Sequence, residues 1–145
     1  MIKIGIGNDH RGHELKLKLK KLLAKKYQIV DYGSVSTDSS DYPLYGIKVG
    51  EAVRDKKVDL GIVICGSGIG ISIAANKVKG VRCAKVNTIN EARLSKTDND
   101  ANVIAINGGM NYFKAKKIIN TFISTKFDAN ERYIRRVNII KDYEK

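Results

Sequence analysis

"DLGIVICGSGIGISIAANK", residues 59–77, is the stretch whose reading decides the fold. Leu60 to Ile64 is an unbroken apolar run of strand length, Gly66, Gly68 and Gly70 follow at alternate positions, and an apolar helical pattern begins at Gly70. A strand that is apolar on both faces belongs in a parallel sheet covered from both sides. The glycines at its carboxyl end let successive backbone N–H groups converge beside the positive end of the following helix, which makes an anion hole. Neither the strand nor the turn needs sulfur, so Cys65 at their junction calls for a chemical explanation.

The same alternation extends in both directions. Strand-like runs at Ile2 to Gly7, Gln28 to Tyr32, Leu60 to Ile64, Arg82 to Val86 and Val103 to Ile106 are each bounded by Gly, Asn, Asp or Ser. Helical patterns fall between them at 12–26, 44–56, 70–79, 89–97 and 111–124, with a last one at 130–143. The expected architecture is a three-layer α/β/α Rossmann-like sandwich with a five-stranded parallel sheet, one domain over residues 1–145. In such sheets ligands bind beyond the carboxyl ends of the strands, where strand order reverses. That selects "GNDHRGH" after the first strand, "CGSGIG" after the third and "NGGMN" after the fifth, with the polar loop "STDSSDY" after the second able to reach over the site.

Composition narrows the partners. No apolar run approaches the roughly 18 residues of a membrane span, and "MIKIGIGNDH" enters a strand pattern directly, so no membrane association, no secretory leader and a cytoplasmic location are expected. Cys65 and Cys83 are too few for a disulfide framework and read as free thiols. The net charge of +12 raises the possibility of nucleic acid. In "ELKLKLKKLLAKK", however, Leu15, Leu19, Leu22 and Leu23 keep helical spacing while Lys18, Lys21 and Lys25 fall on the solvated side. Aromatics do not interleave with the lysines, so no nucleic-acid partner is expected.

Cys65 is placed beside the amide cluster, where a helix N-terminus favours the thiolate, the form that can take a proton. Asp9 and His10 face the same crevice, as a cap, a phosphate ligand or a proton carrier, whereas His13 reads as surface. Arg132 and Arg136, four apart on the last helix, can grip a phosphate, with Tyr133, Val137 and Ile140 as that helix's apolar stripe. "GIGNDHRG" imitates a dinucleotide turn, but only Asp31 is available to hold a ribose, which disfavours a nicotinamide cofactor. Cys65, Cys83, His10 and His13 lack zinc-ligand spacing, so no metal is expected, and a cysteine hydrolase pairing Cys65 with His10 stays open as a minor reading.

Over essentially the whole chain, "GNDHRG", "DYPLYG", "VICGSGIGISIAANKVKGVRCA", "LSKTDNDANVIAI" and "ERYIRRV" resemble, in order and spacing, the ribose-5-phosphate isomerase type B family. That family includes galactose-6-phosphate isomerase subunits and allose-6-phosphate isomerase. The resemblance implies interconversion of D-ribose 5-phosphate and D-ribulose 5-phosphate through an enediolate, without cofactor or metal, in homodimers or homotetramers with sites shared between subunits. It implies that Cys65 is the base and that the amides of Gly66, Ser67, Gly68, Ile69 and Gly70 hold the enediolate, while the Ser67 hydroxyl relays protons. It implies substrate contacts from Asp9, His10, Tyr42 and Asn99, and phosphate contacts from His10, Arg132 and Arg136, the arginines from a neighbouring subunit.

Two positions depart from the family pattern. Asp98 stands where many members carry the histidine credited with ring opening and is taken as its catalytic replacement, although a carboxylate donates poorly at neutral pH; otherwise Asp9 or His10 opens the ring or the substrate arrives open. Gly109 stands where an arginine is frequent, removing one cation from the phosphate side. A galactose-6-phosphate substrate is disfavoured by the presence of Cys65, and a catalytically weakened sugar-phosphate-binding paralogue is kept as the alternative.

Overall fold

The structure, a computed structural model, describes all 145 residues. The five strands are β1 (Lys3–Asn8), β2 (Gln28–Asp31), β3 (Leu60–Cys65), β4 (Cys83–Lys85) and β5 (Val103–Asn107), all paired in parallel in the order β2-β1-β3-β5-β4. The helices are α1 (His13–Leu23), α2 (Tyr42–Arg54), α3 (Ile69–Asn76), α4 (Ile89–Thr97), α5 (Tyr112–Ser124) and α6 (Glu131–Tyr143), with a 3₁₀ turn at His10–Gly12. No helix is long and apolar enough to cross a membrane.

The period-two alternation of side chains sorts the strands into two cores. Ile4 and Ile6 of β1, Ile62 and Ile64 of β3, and Ile104 and Ile106 of β5 face one layer, packed with Leu15, Leu19, Ala92, Ile118 and Phe122 of α1, α4 and α5. Val63 and Cys65 of β3 and Val103 and Ala105 of β5 face the other, packed with Val49 of α2 and with Ile71 and Ala75 of α3. Each fully buried Ile or Phe contributes about 1.5–3 kcal/mol through lost apolar exposure, so the three layers hold one another in register.

α2 begins at Tyr42, two residues earlier than the helical pattern suggests, because Pro43 occupies the first turn, where its missing N–H costs no hydrogen bond. Asp31, which a dinucleotide site would need, is occupied instead: Lys16 Nζ approaches it at 3.3 Å, Lys20 Nζ at 3.0 Å, and the Gly33 N–H donates to it at 3.0 Å. Lys16 is buried, which the basic helix pattern gave no hint of, and it also donates to the Ser34 carbonyl.

Strand order reverses between β1 and β3, and the Asp9 N–H donates to the Ile64 carbonyl at 3.2 Å. The segments leaving these two strands therefore lie side by side at the carboxyl edge of the sheet.

Candidate active site

Cys65 is the last residue of β3, with its side chain on the α2/α3 face. Its Sγ accepts the Gly68 N–H at 3.2 Å. Gly68 takes a left-handed conformation, φ +79°, which turns its amide back toward the sulfur; a Cβ there would meet the Ile106 carbonyl carbon at 2.9 Å. Sγ makes no hydrogen bond to His10, so the Cys–His couple of a cysteine hydrolase is not formed.

The amides expected to act as a fan divide into two groups. Gly68 N–H serves the sulfur, and Ile69 N–H donates to Ser67 Oγ at 3.1 Å. Gly66, Ser67 and Gly70 N–H have no acceptor in the chain, and α3 starts at Ile69, so its positive end faces the same space. Because Ser67 Oγ accepts from Ile69, its own proton is free to be donated outward. Tyr42 leans over this turn: a Cβ on Gly70 would sit 2.6 Å from Tyr42 Cε1 and 3.1 Å from its hydroxyl.

Asp9 caps the 3₁₀ turn, its Oδ1 accepting the Arg11 N–H at 3.0 Å and the Gly12 N–H at 3.3 Å, with Oδ2 left without a protein partner. His10 is clamped by the loop "STDSSDY". Its N–H donates to Ser40 Oγ at 3.1 Å, and the Ser40 N–H donates to His10 Nδ1 at 3.2 Å. Since Nδ1 accepts, the neutral ring carries its proton on Nε2, and His10 is a hydrogen-bond donor on its unclamped side. Ser40 and Arg11 were not singled out from sequence, although that loop was the segment expected to reach over the site. His13, expected at the surface, is half-buried, with Nδ1 3.3 Å from the Ser34 carbonyl.

The remaining candidates lie at the opposite edge of the sheet. Cys65 pairs with Asn107 at the end of β5, whereas Asp98 and Asn99 precede the start of β5. A six-residue strand spans roughly 16 Å, so these residues do not meet Cys65 of their own chain. Asp98 ends α4 and accepts from Thr97 Oγ1 at 2.8 Å, while Arg82 grips the carbonyls of Asn99 and Asp100 at 3.2 and 3.0 Å.

α6 runs along this same edge, tied at one end by the Asp128 N–H to the Thr97 carbonyl and at the other by the Gly80 N–H to the Glu144 carboxylate. Arg132 and Arg136 are exposed on it. Of the apolar stripe read on α6, Val137 is buried, Tyr133 half-buried and Ile140 45% exposed, and the neighbouring Ile139 is 63% exposed, because the helix lies outside both cores. Cys83 opens β4 at this edge; the residue is half-buried, and burial of its thiol pushes it up to about 12, so it stays protonated and unreactive.

A family model described as Ribose/Galactose Isomerase matches residues 4–140. The chain is similar to the ribose-5-phosphate isomerase B of Escherichia coli (strain K12), 37% identical over 99% of this chain and 97% of that one. It is similar to a galactose-6-phosphate isomerase subunit of Clostridium acetobutylicum, 34% identical over 98% of this chain and 85% of the relative. Among solved structures it resembles the Clostridium thermocellum ribose-5-phosphate isomerase B, with a TM-score of 0.95 and 43% identity, covering 99% of this chain and 97% of the other.

Proposed function

The chain belongs to the ribose/galactose isomerase family, and from that premise we propose that it interconverts D-ribose 5-phosphate and D-ribulose 5-phosphate through an enediolate. The observation that carries the reading is the Cys65 sulfur, held at 3.2 Å by the Gly68 N–H beside three amides that have no acceptor of their own.

The Cys65 thiolate takes the proton from C2 of the open-chain aldose. The C–H electron pair becomes the C1–C2 double bond, and the carbonyl electrons move onto O1. Gly66, Ser67 and Gly70 N–H supply donors for that negative oxygen, each worth about 3–4 kcal/mol when preorganised. The Ser67 hydroxyl passes the O2 proton to O1, C2 becomes the ketone carbon, and the Cys65 thiol returns its proton to C1. In this reading Asp9 Oδ2, left free by the cap, and the Tyr42 hydroxyl contact sugar hydroxyls, and His10 Nε2–H contacts the phosphate.

One chain supports only part of this site. Asp98, Asn99, Arg132 and Arg136 serve it if a second copy lays its α6 edge over the Cys65 crevice, and such a copy would also cover the exposed Ile139 and Ile140. The protein thus works as a homodimer or homotetramer, in the cytoplasm, where a pentose phosphate is available. Asp98 favours a second reading, a sugar-phosphate-binding paralogue of reduced activity, because the ring-opening proton donor is replaced by a carboxylate.

A coupled assay for ribulose 5-phosphate at millimolar ribose 5-phosphate decides between them. Turnover abolished by Cys65→Ala is the expected result. Calorimetric binding without turnover would leave only the binding protein, and turnover of a hexose 6-phosphate in preference would move the substrate to the galactose branch of the family.

A further inference from the structure

Beside Gly66, the residue after the candidate base, lies a cavity of about 430 Å³ with no apolar residue in its wall. Arg11 lies across it. A Cβ built on Gly66 would fall 2.7 Å from Arg11 Cδ and 2.9 Å from its Nη1, so the guanidinium stem runs directly over the turn. The Arg11 main chain is fixed on both sides, its N–H held by Asp9 and its carbonyl packed so closely on Gly108 that a side chain there would not fit. The guanidinium itself is idle. Arg54 and Arg82 are each paired with carboxylates, whereas Arg11 makes no ion pair and no side-chain hydrogen bond.

Gly109 also lines the cavity, and a Cβ built on it would meet nothing closer than the Asn107 Oδ1 at 3.6 Å, so this part of the wall is open. His10, whose clamped Nδ1 leaves Nε2–H as the outward donor, lines the same cavity. A guanidinium, an imidazole N–H and a glycine-lined space of this size fit a phosphate group. Glu14, one helical turn beyond Arg11, also lines the cavity and is likewise unpaired, so its carboxylate opposes any anion held there.

We propose that Arg11 grips the terminal phosphate of the substrate from within the same chain, standing in for the cation that Gly109 lacks, and that Glu14 weakens this grip. The inference rests on the sugar-phosphate reading above. Arg11 and Glu14 are both exposed and free of partners, so Arg11→Gln and Glu14→Gln leave the fold intact, which unchanged melting temperatures verify.

Inorganic phosphate is the probe. Arg11→Gln raises the inhibition constant of phosphate and the KM for ribose 5-phosphate about tenfold, with a smaller change in kcat, as expected for loss of one charge-assisted contact. Arg11→Lys recovers part of the loss, because the point charge remains but the fork does not. Glu14→Gln moves the phosphate inhibition constant the other way, by about two- to fivefold. Changes within twofold for Arg11→Gln, or weaker phosphate binding in Glu14→Gln, overturn the assignment. If the wild-type protein does not turn over ribose 5-phosphate, calorimetry with phosphate still decides. Binding lost in Arg11→Gln supports the subsite although the isomerase reading fails, and equal binding by the two proteins overturns it.

Discussion

Cys65 ends β3 and Cys83 begins β4, so one sheet carries a thiol at each of its edges, in two different chemical settings. At the carboxyl edge the chain leaves a strand and enters a helix, and the N–H groups that a helix cannot satisfy in its first turn point back toward the strand end. Cys65 receives the N–H of Gly68, the cap residue of α3, while the Gly70 N–H in the first turn and the Gly66 and Ser67 N–H just before the helix have no acceptors. At the other edge the chain leaves helices and enters strands, so no helix N-terminus faces Cys83, and burial pushes its thiol up to about 12. Topology, more than residue type, separates the thiol proposed here as the base from one that is a small apolar filler.

The widest difference between the edges is expected in activity. Cys65→Ala lowers kcat about 10³-fold, within the range for removal of a positioned general base, while Cys83→Ala stays within twofold. Comparable losses in both would erase the distinction.

The second test asks whether the far edge serves a neighbour. Cys65→Ala and the double variant Arg132→Ala/Arg136→Ala are each nearly inactive alone. Mixed and refolded together in equal amounts, they recover about a quarter of wild-type turnover if sites are built from two chains, because some of the mixed assemblies hold one intact site. No recovery would confine the site to one chain.

A third and smaller effect concerns stability at the carboxyl edge. Burial alone would raise the pKa of Asp31, but hydrogen bonds from Lys20 and the Gly33 N–H, with the charges of Lys16 and Lys20, outweigh it and hold the carboxyl below its ordinary value. The folded protein therefore releases this proton more readily than the unfolded chain. The resulting stability is fully present above about pH 4 and is lost as the pH falls below it. Urea unfolding of Asp31→Asn against wild type shows a gap of about 1 kcal/mol at pH 7, reduced by solvent screening, that narrows from pH 4 toward pH 2. A gap independent of pH would remove the carboxylate from the account.

The sheet was legible because both-face apolar runs such as Leu60–Ile64 and helical spacings such as Leu15–Leu19–Leu23 are each dictated by local geometry. The Cys65 turn was legible for the same reason, since strand end, glycines and helix start are adjacent in sequence. Lys16 was not, because its burial depends on Asp31 and the Ser34 carbonyl arriving from a separate strand and loop. Arg11 looked like an ordinary residue at a helix start, and only the packing of β5 and the Gly66 turn around it shows that its charge has no partner. The stripe of α6 was legible from its spacing but its partial exposure was not, because an amphipathic pattern does not record which chain covers an apolar face.

The account depends most on the Cys65 sulfur moving a proton at the sugar's second carbon, and NMR of the C2 proton of ribose 5-phosphate in deuterium oxide reads that step directly. The account predicts exchange by the wild-type protein, exchange of the open-chain form largely retained in Asp98→Asn, and none in Cys65→Ala. Exchange persisting in a folded Cys65→Ala would contradict it.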